Sequence, residues 1–431
     1  MIVRSNWTSP VIIDLALTRP VEQDLRRAAE NASPSDTEEW AVVIAEDRAA
    51  PIPVGAHEQL VVTECLERIA MLGRHRDQRP LRERARIEAR LLAHVDALLA
   101  ASATVAEVQR FWEDESAEDP WATWAAVFVL GSTEGASGQS AVLDLLTACA
   151  EDEARHGVLA AEALLISPHP ERASLGRDLL RSTSPAARGA GIELLSRLGE
   201  LEASQALLAI EEDQVLVKAA GLRALARRAN LGDAVERVRW CLRMPEPRIA
   251  WEAARALTLH GYPDARDDLR NGGALGAELG VDAIEILVMA GAPSDLGVLE
   301  RLVKRLPMSA EVLSAVARFG HPAVWPYLVH GLGRDECAED AASALETLFG
   351  ALVGAEEDDA ASAWRGALRE VPIPPEAHLR RGEAWSAKVV LAECVSGALR
   401  RREVELRYDE LRARGGRAPV GDLAAWGSAP A

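Results

Sequence analysis

The chain offers five cysteines, nine histidines and many carboxylates for chemistry, and their spacing decides what they could do. Glu153 and His156 stand three apart, a spacing that turns a carboxylate and an imidazole to one side of a helix, as in di-iron bundles. Such a centre needs a second Glu-x-x-His and two further glutamates, and no second copy occurs. With Glu151, Asp152 and Arg155 alongside, the segment reads as a solvated helix start. Cys241 with His260, or Cys337 with His321 or His330, could be written as a thiol and its base. None of these pairs has a third, orienting group, and cysteines in apolar stripes read first as interior packing. HExxH and GxSxG are absent, and the glycines of 131–138 lack the Lys-Ser/Thr of a phosphate loop. No catalytic, cofactor or metal site is expected, and the chain does not read as an enzyme.

Charge supplies a different chemistry, recognition. Lysine and arginine number 48 against 67 aspartates and glutamates, a net charge of −19, the wrong sign for nucleic-acid phosphates or an anionic membrane. The run Arg74, Arg76, Arg79, Arg82, Arg84, Arg86, Arg90 is interleaved with Asp77, Glu83 and Glu88 and reads as intrahelical pairs on a wet face. A second run, Arg400, Arg401, Arg402, Arg407, Arg412 and Arg414, is diluted by Glu403, Glu405, Asp409 and Glu410. DNA binding of the kind found in helical-repeat glycosylases is therefore the least favoured reading. The odd, scattered cysteines include no CxxC pair, which points to a reducing compartment. Asp14 interrupts the apolar run from Val11 to Leu17, no cleavage signal follows, and no window nears the ~20 apolar residues of a membrane span. A cytoplasmic location is expected.

The elements that would position any recognition surface come from a repeat. Gly199, Asn230, Gly261, Gly291, Gly320 and Gly350 each close an apolar segment, at spacings of 31, 31, 30, 29 and 30. Glycine and asparagine tolerate the left-handed backbone just past a helix end. Counting back from these caps, positions 8, 5, 4 and 1 are mostly apolar, as in Leu222, Leu225 and Ala226 or Ala283, Ile286 and Leu287. That is one buried helix face; His260 and Glu346 are its exceptions. A shorter periodic segment precedes each capped helix, and Pro170, Pro293 and Pro322 stand where first turns would begin. One such hairpin cannot bury its stripe alone, so neighbours must stack. The expected fold is an all-α, right-handed α-solenoid of roughly seven to eight hairpins, with helical N-terminal and C-terminal caps.

The expected layout is an N-terminal helical cap over 1–118, the repeats over 119–371, a C-terminal helical cap over 372–414 and a flexible tail over 415–431. Candidate helices in the first segment are Val21–Glu30, Thr37–Arg48, His57–Leu72 and Leu81–Ala101; Glu383–Ala413 reads as two helices parted near Gly397. Nine and six residues before the caps runs a polar stripe beside the buried one. Second helices line the inner face of stacked hairpins, where solenoids hold partners. Glu252, Arg255, Asp282, Glu285 and Glu311 lie on this stripe, and its four carboxylates suit a basic or disordered protein segment. Trp112, Trp121 and Trp124 cluster near the expected junction with the N-terminal cap and read as packing.

The period, the Ala-rich second helices and the glycine caps resemble bacterial HEAT-like repeats, a short kind also found in phycobilisome lyase subunits. A narrower similarity lies in Arg90-Leu-Leu-Ala-His-Val-Asp-Ala-Leu98, in Trp124 to Leu130, in Gly382-Glu-Ala-Trp385 and in Arg407-Tyr-Asp-Glu-Leu411. These resemble a family of bacterial HEAT-repeat proteins, some encoded near type VI secretion components. In that family the first motif reads His-Leu-Asp-Gly-Leu, so Val95 and Ala97 depart from it. The resemblance brings no catalytic residues. It implies a scaffold, adaptor or chaperone for a protein partner, with effector handling as one role. The alternative it allows is an accessory subunit of a lyase-type enzyme acting on a partner protein.

Overall fold

In the computed structural model, residues 54–133, 136–149, 154–167, 171–353, 360–370 and 378–415 are described. The expected helices Val21–Glu30 and Thr37–Arg48, together with Glu153, Pro170 and the tail beyond Gly415, lie outside them. The described residues contain 22 α-helices and one two-residue β-hairpin, an all-α helical-repeat fold. They divide into two units, one holding 54–78 and 83–198, the other 79–82 and 199–415.

In the first unit α1 (Val54–Gln78) pairs with α2 (Arg84–Ala100). Three hairpins follow: α3 (Val105–Glu115) with α4 (Pro120–Gly131), α5 (Ala136–Ala148) with α6 (Ala154–Ile166), and α7 (Arg172–Arg181) with α8 (Pro185–Leu198). A Thr104–Glu107 capping box starts α3. The Asp119 carboxylate accepts from the Trp121 amide to start α4, with Pro120 in the first turn. Apart from Pro120, α4 is buried along its whole length, as its lack of any polar face requires. It packs between α1 and α6. At Gly73 a Cβ would stand 2.6 Å from the Trp124 ring, so only glycine lets α1 approach α4 this closely.

The second unit has five hairpins: α9 (Ala203–Glu211) with α10 (Val215–Arg227), α11 (Val235–Leu242) with α12 (Pro247–Leu259), α13 (Asp264–Arg270) and α14 (Leu275–Glu278) with α15 (Val281–Ala290), α16 (Leu296–Val303) with α17 (Ala310–Phe319), and α18 (Trp325–Leu332) with α19 (Ala338–Phe349). The second helices α10, α12, α15, α17 and α19 pack each on the next. The apolar columns expected from the caps are buried there, Leu222, Leu225, Ala253, Leu257, Ile286, Val316 and Leu345 among them. Pro293 and Pro322 open short 3-10 turns that lead into α16 and α18.

The glycine caps adopt left-handed backbone, with φ of +75° at Gly199, +78° at Gly261, +63° at Gly291, +84° at Gly320 and +77° at Gly350. Asn230 does not. There α10 ends at Arg227, Arg228 is already extended, and the left-handed turn comes at Gly232 (φ +49°).

The unit ends in α20 (Ala360–Glu370), the hairpin β1 (Leu379–Arg380) and β2 (Glu383–Ala384), α21 (Ala387–Val395) and α22 (Arg401–Ala413). Gly397, at φ +69°, marks the break between the last two helices, where the sequence places it. The hairpin was not foreseen. It ties down through the amides of Leu379, Arg381 and Gly382, which donate to the carbonyls of Gly320, Thr347 and Leu348 at 2.7, 2.8 and 3.0 Å, acceptors left open where α17 and α19 end. The second helix, α22, lies against α12 and α15 in the middle of the repeats; the ion pair that ties it to α12, Arg255–Asp409, joins residues too distant in sequence for periodicity to reveal. No described helix is long and apolar enough to cross a membrane.

Candidate functional site

The five residues of the polar stripe come together on α12, α15 and α17, but in two different roles. Glu252 and Glu285 are buried. Arg223 of α10 donates to Glu252 Oε1 at 3.0 Å, and Arg318 of α17 donates to Glu285. Each pair is a rung between neighbouring second helices, and the first unit has a looser counterpart in Arg197 of α8 with Glu162 of α6, at 3.8 Å. A stripe that looked wet in the sequence is therefore partly a helix–helix seam. Buried carboxylates persist there because each faces a guanidinium.

Arg255, Asp282 and Glu311 lie outside that seam, and the helix packed on α12 and α15 beside them is α22. The Arg255 guanidinium donates from Nε and Nη2 to both oxygens of Asp409, at 2.6 and 3.0 Å. This is the planar two-bonded fork that arginine and carboxylate favour. Burial would lower the Arg255 pKa, but Asp409, Glu252 and Glu405 outweigh it and hold it above the ordinary value. Burial, reinforced by Glu285, pushes the Asp282 carboxyl up to about 6, against the pull of Arg402. Glu311 is exposed and held low by its own amide and the Ser309 hydroxyl, with Arg402 contributing. Further along α22, Arg412 donates to the carbonyl of Arg228, and Arg414 just beyond the helix donates to that of Val288 at 2.6 Å.

Behind this contact the C-terminal segment has its own buried charge network. Glu410 is fully buried and accepts from Arg380 Nη2 and from the Trp385 indole, both at 2.5 Å. Burial would raise the Glu410 pKa; Arg380, Arg414, Arg318 and Arg407 reverse the sign and hold it low. Arg407 donates to Glu393 at 3.3 Å, and burial with Arg318 and Arg380 nearby brings its pKa down to about 10. Trp385 and the 407–411 run, which carry part of the family resemblance, thus meet at one carboxylate.

The other sequence candidates are placed as follows. His156 is buried, and its Nδ1 lies 2.6 Å from Thr123 Oγ1, which accepts from the Trp112 indole at 3.0 Å. Trp121 and Trp124 are interior residues, with ring centroids 6.3 Å apart. His260 caps α12, with Nε2 3.3 Å from the Leu225 carbonyl. All five cysteines are buried and free. In the first arginine run, Arg76 of α1 donates to Glu88 of α2 at 2.9 Å and Arg74 to Asp119 at 2.5 Å; the partners lie across helices where intrahelical pairs were expected. An open cleft of ≈ 550 Å³ is lined by Arg239, Arg243, Asp264, Asp267 and Glu278, and Arg239 is already paired with Asp264 at 2.8 Å. Among the described residues, no three His, Cys, Asp or Glu side chains converge to hold a metal.

Sequence reasoning missed Arg402, Asp409 and Arg412 as parts of this surface. Their signal was present: 402, 405, 409 and 412 are all charged and follow helical spacing, opposite the apolar Val404 and Leu411. The fold defines an all-α helical-repeat protein. No family model matches the chain, and neither a curated protein nor a solved structure matches it.

Proposed function

We propose that this protein is a non-enzymatic scaffold or adaptor that holds a protein partner along the strip formed by Glu252, Arg255, Asp282, Glu285 and Glu311. One observation carries the reading: the strip receives a helix, α22, through the Arg255–Asp409 fork on α12, with Arg412 of the same helix donating to the Arg228 carbonyl at the end of α10. A surface built from charges at the repeat spacing selects register and partner through electrostatic complementarity. Within it, Arg255, Asp282 and Glu311 are the reading groups, while Glu252 and Glu285 hold adjacent helices in place. A right-handed winding of the hairpins, a cytoplasmic location and a role near type VI secretion effectors belong to the same proposal and rest on composition and resemblance.

The test is affinity capture of the tagged full chain from its host beside D282K/E311K, a variant that spares both buried rungs. The expected result is one stoichiometric protein with the wild type and its loss with the variant, at unchanged circular dichroism and cooperative unfolding. Equal retention by a folded variant would remove the strip from the proposal.

A further inference from the structure

We infer that α22 is a built-in occupant of the strip, and that the partner it excludes is a protein segment that folds as a helix bearing arginine, acid, acid and arginine at positions i, i+3, i+7 and i+10. The inference rests on the scaffold reading above and adds to it the chemistry of the ligand and the way the surface is kept closed.

Three observations carry it. The first is geometric. Arg402, Glu405, Asp409 and Arg412 fall on one side of α22, and ten residues of helix span about 15 Å. The helix packs on α12 and α15, and from its far end the Arg412 side chain reaches the Arg228 carbonyl at the end of α10.

The second is sign. Arg402 is set near Asp282 and Glu311. Glu405 and Asp409 are set near Arg255. Arg412 donates to the carbonyl of Arg228, at the C-terminal end of α10, where exposed carbonyls favour a cation. One full ion pair, Asp409 with Arg255, anchors this face; Glu405 also pairs with Arg401 of its own helix at 3.0 Å, and Arg412 meets a carbonyl with Arg255 nearby. A helix with a basic residue at the Asp409 position would place a like charge against Arg255.

The third is separability. The opposite side of α22 is held by its own segment. Val404 clusters with Cys394, Leu399 and Tyr408, and the Arg380–Glu410 and Arg407–Glu393 pairs join residues of the same segment. The strip-facing groups are wetter: Arg402 is exposed, and the Arg255 side chain is 22% exposed. A competing helix can therefore replace the Arg255–Asp409 fork and the Arg412 hydrogen bond while the segment keeps its interior.

The experiment uses the full chain as wild type, D409R and R255D/D409R. The probe is a fluorescein-labelled peptide of residues 398–415, read by anisotropy, with hydrogen exchange followed over 401–414. In D409R an arginine faces Arg255, so exchange should rise and the peptide should bind at least about tenfold more tightly than to the wild type, the effect of one close charge pair. In R255D/D409R the pair is restored with reversed sign, and both effects should disappear. D409N replaces D409R in the same comparison should the latter lose cooperative unfolding. Protected 401–414 amides in the open variant, without gain of peptide binding, would overturn the inference and make α22 a permanent part of the core. The scaffold reading fails separately, when D282K/E311K keeps its host partner.

Discussion

Arg255 and Asp409 are separated by 154 positions in the chain, yet their side chains meet in a two-bonded fork at 2.6 and 3.0 Å. The contact joins a repeat in the middle of the second unit to the C-terminal helix, so its energy measures how firmly that helix is held. Hydrogen bonds to charged groups contribute about 1.5–3 kcal/mol. R255A and D409A should each destabilise the protein by about that much. The double variant should cost clearly less than their sum, because removing one partner strands the other. Urea unfolding of the four-member cycle checks this, and strict additivity would show that the fork contributes nothing.

Asp282 and His378 should act against each other as pH changes. Asp282 titrates at about 6 in the folded protein against an ordinary 3.8, so the folded state binds this proton more tightly. Its contribution is complete below pH ~4 and lost as pH rises through 6. Burial first, and Arg414 next, bring His378 from 6.5 down to about 4. The folded state therefore disfavours that proton, and stability falls as pH drops from 6.5 to 4. Each two-unit shift corresponds to about 2–3 kcal/mol at most. D282N should make stability rise more steeply with pH between 4 and 6, and H378N should make it fall; urea midpoints across that range decide. A D282N slope equal to wild type rejects the assignment.

Gly320 and Gly261 have similar left-handed backbones, with φ of +84° and +78°, but different surroundings. A Cβ on Gly320 would come within 2.8 Å of the Leu379 carbonyl oxygen, whereas on Gly261 it would meet nothing within 4 Å. Gly261→Ala should cost only the conformational price, about 1–2 kcal/mol. Gly320→Ala should cost about 1–3 kcal/mol more from overpacking and should raise hydrogen exchange at 379–384, where β1 is tied down. Equal effects at the two sites would mean that the close approach relaxes freely.

Burial raises the pKa of Cys65 and Cys241 and takes Cys394 up to about 11. Thiolate is the reactive form. With all five thiols buried, Ellman's reagent at pH 8 should modify none of them in the native protein and all five after unfolding. Rapid reaction of one native thiol would identify a site that opens locally.

The features read correctly from sequence are local ones. The glycine caps are visible because left-handed backbone selects glycine, and Gly232 took over from Asn230 only because α10 ends in an extended residue. The apolar columns are visible because a helix must turn the same face inward at every repeat. The charges were harder to place. Glu252 and Glu285 occupy stripe positions like that of Asp282, and only the arginines across the seam, Arg223 and Arg318, show which carboxylates are buried. Arg76 pairs with Glu88 on the neighbouring helix for the same reason: an arginine side chain reaches several candidate partners, and packing chooses among them.

The sequence by itself determined the repeat helices, their glycine caps and the hairpin period, because each depends on residues within one or two turns. Tertiary structure alone decided that the last helix lies on α12 and α15, so that Asp409 answers Arg255 and Arg402 comes within electrostatic reach of Asp282 and Glu311. Coulomb attraction carries no record of sequence distance, and two charges become partners only after the backbone has brought them within a few ångströms.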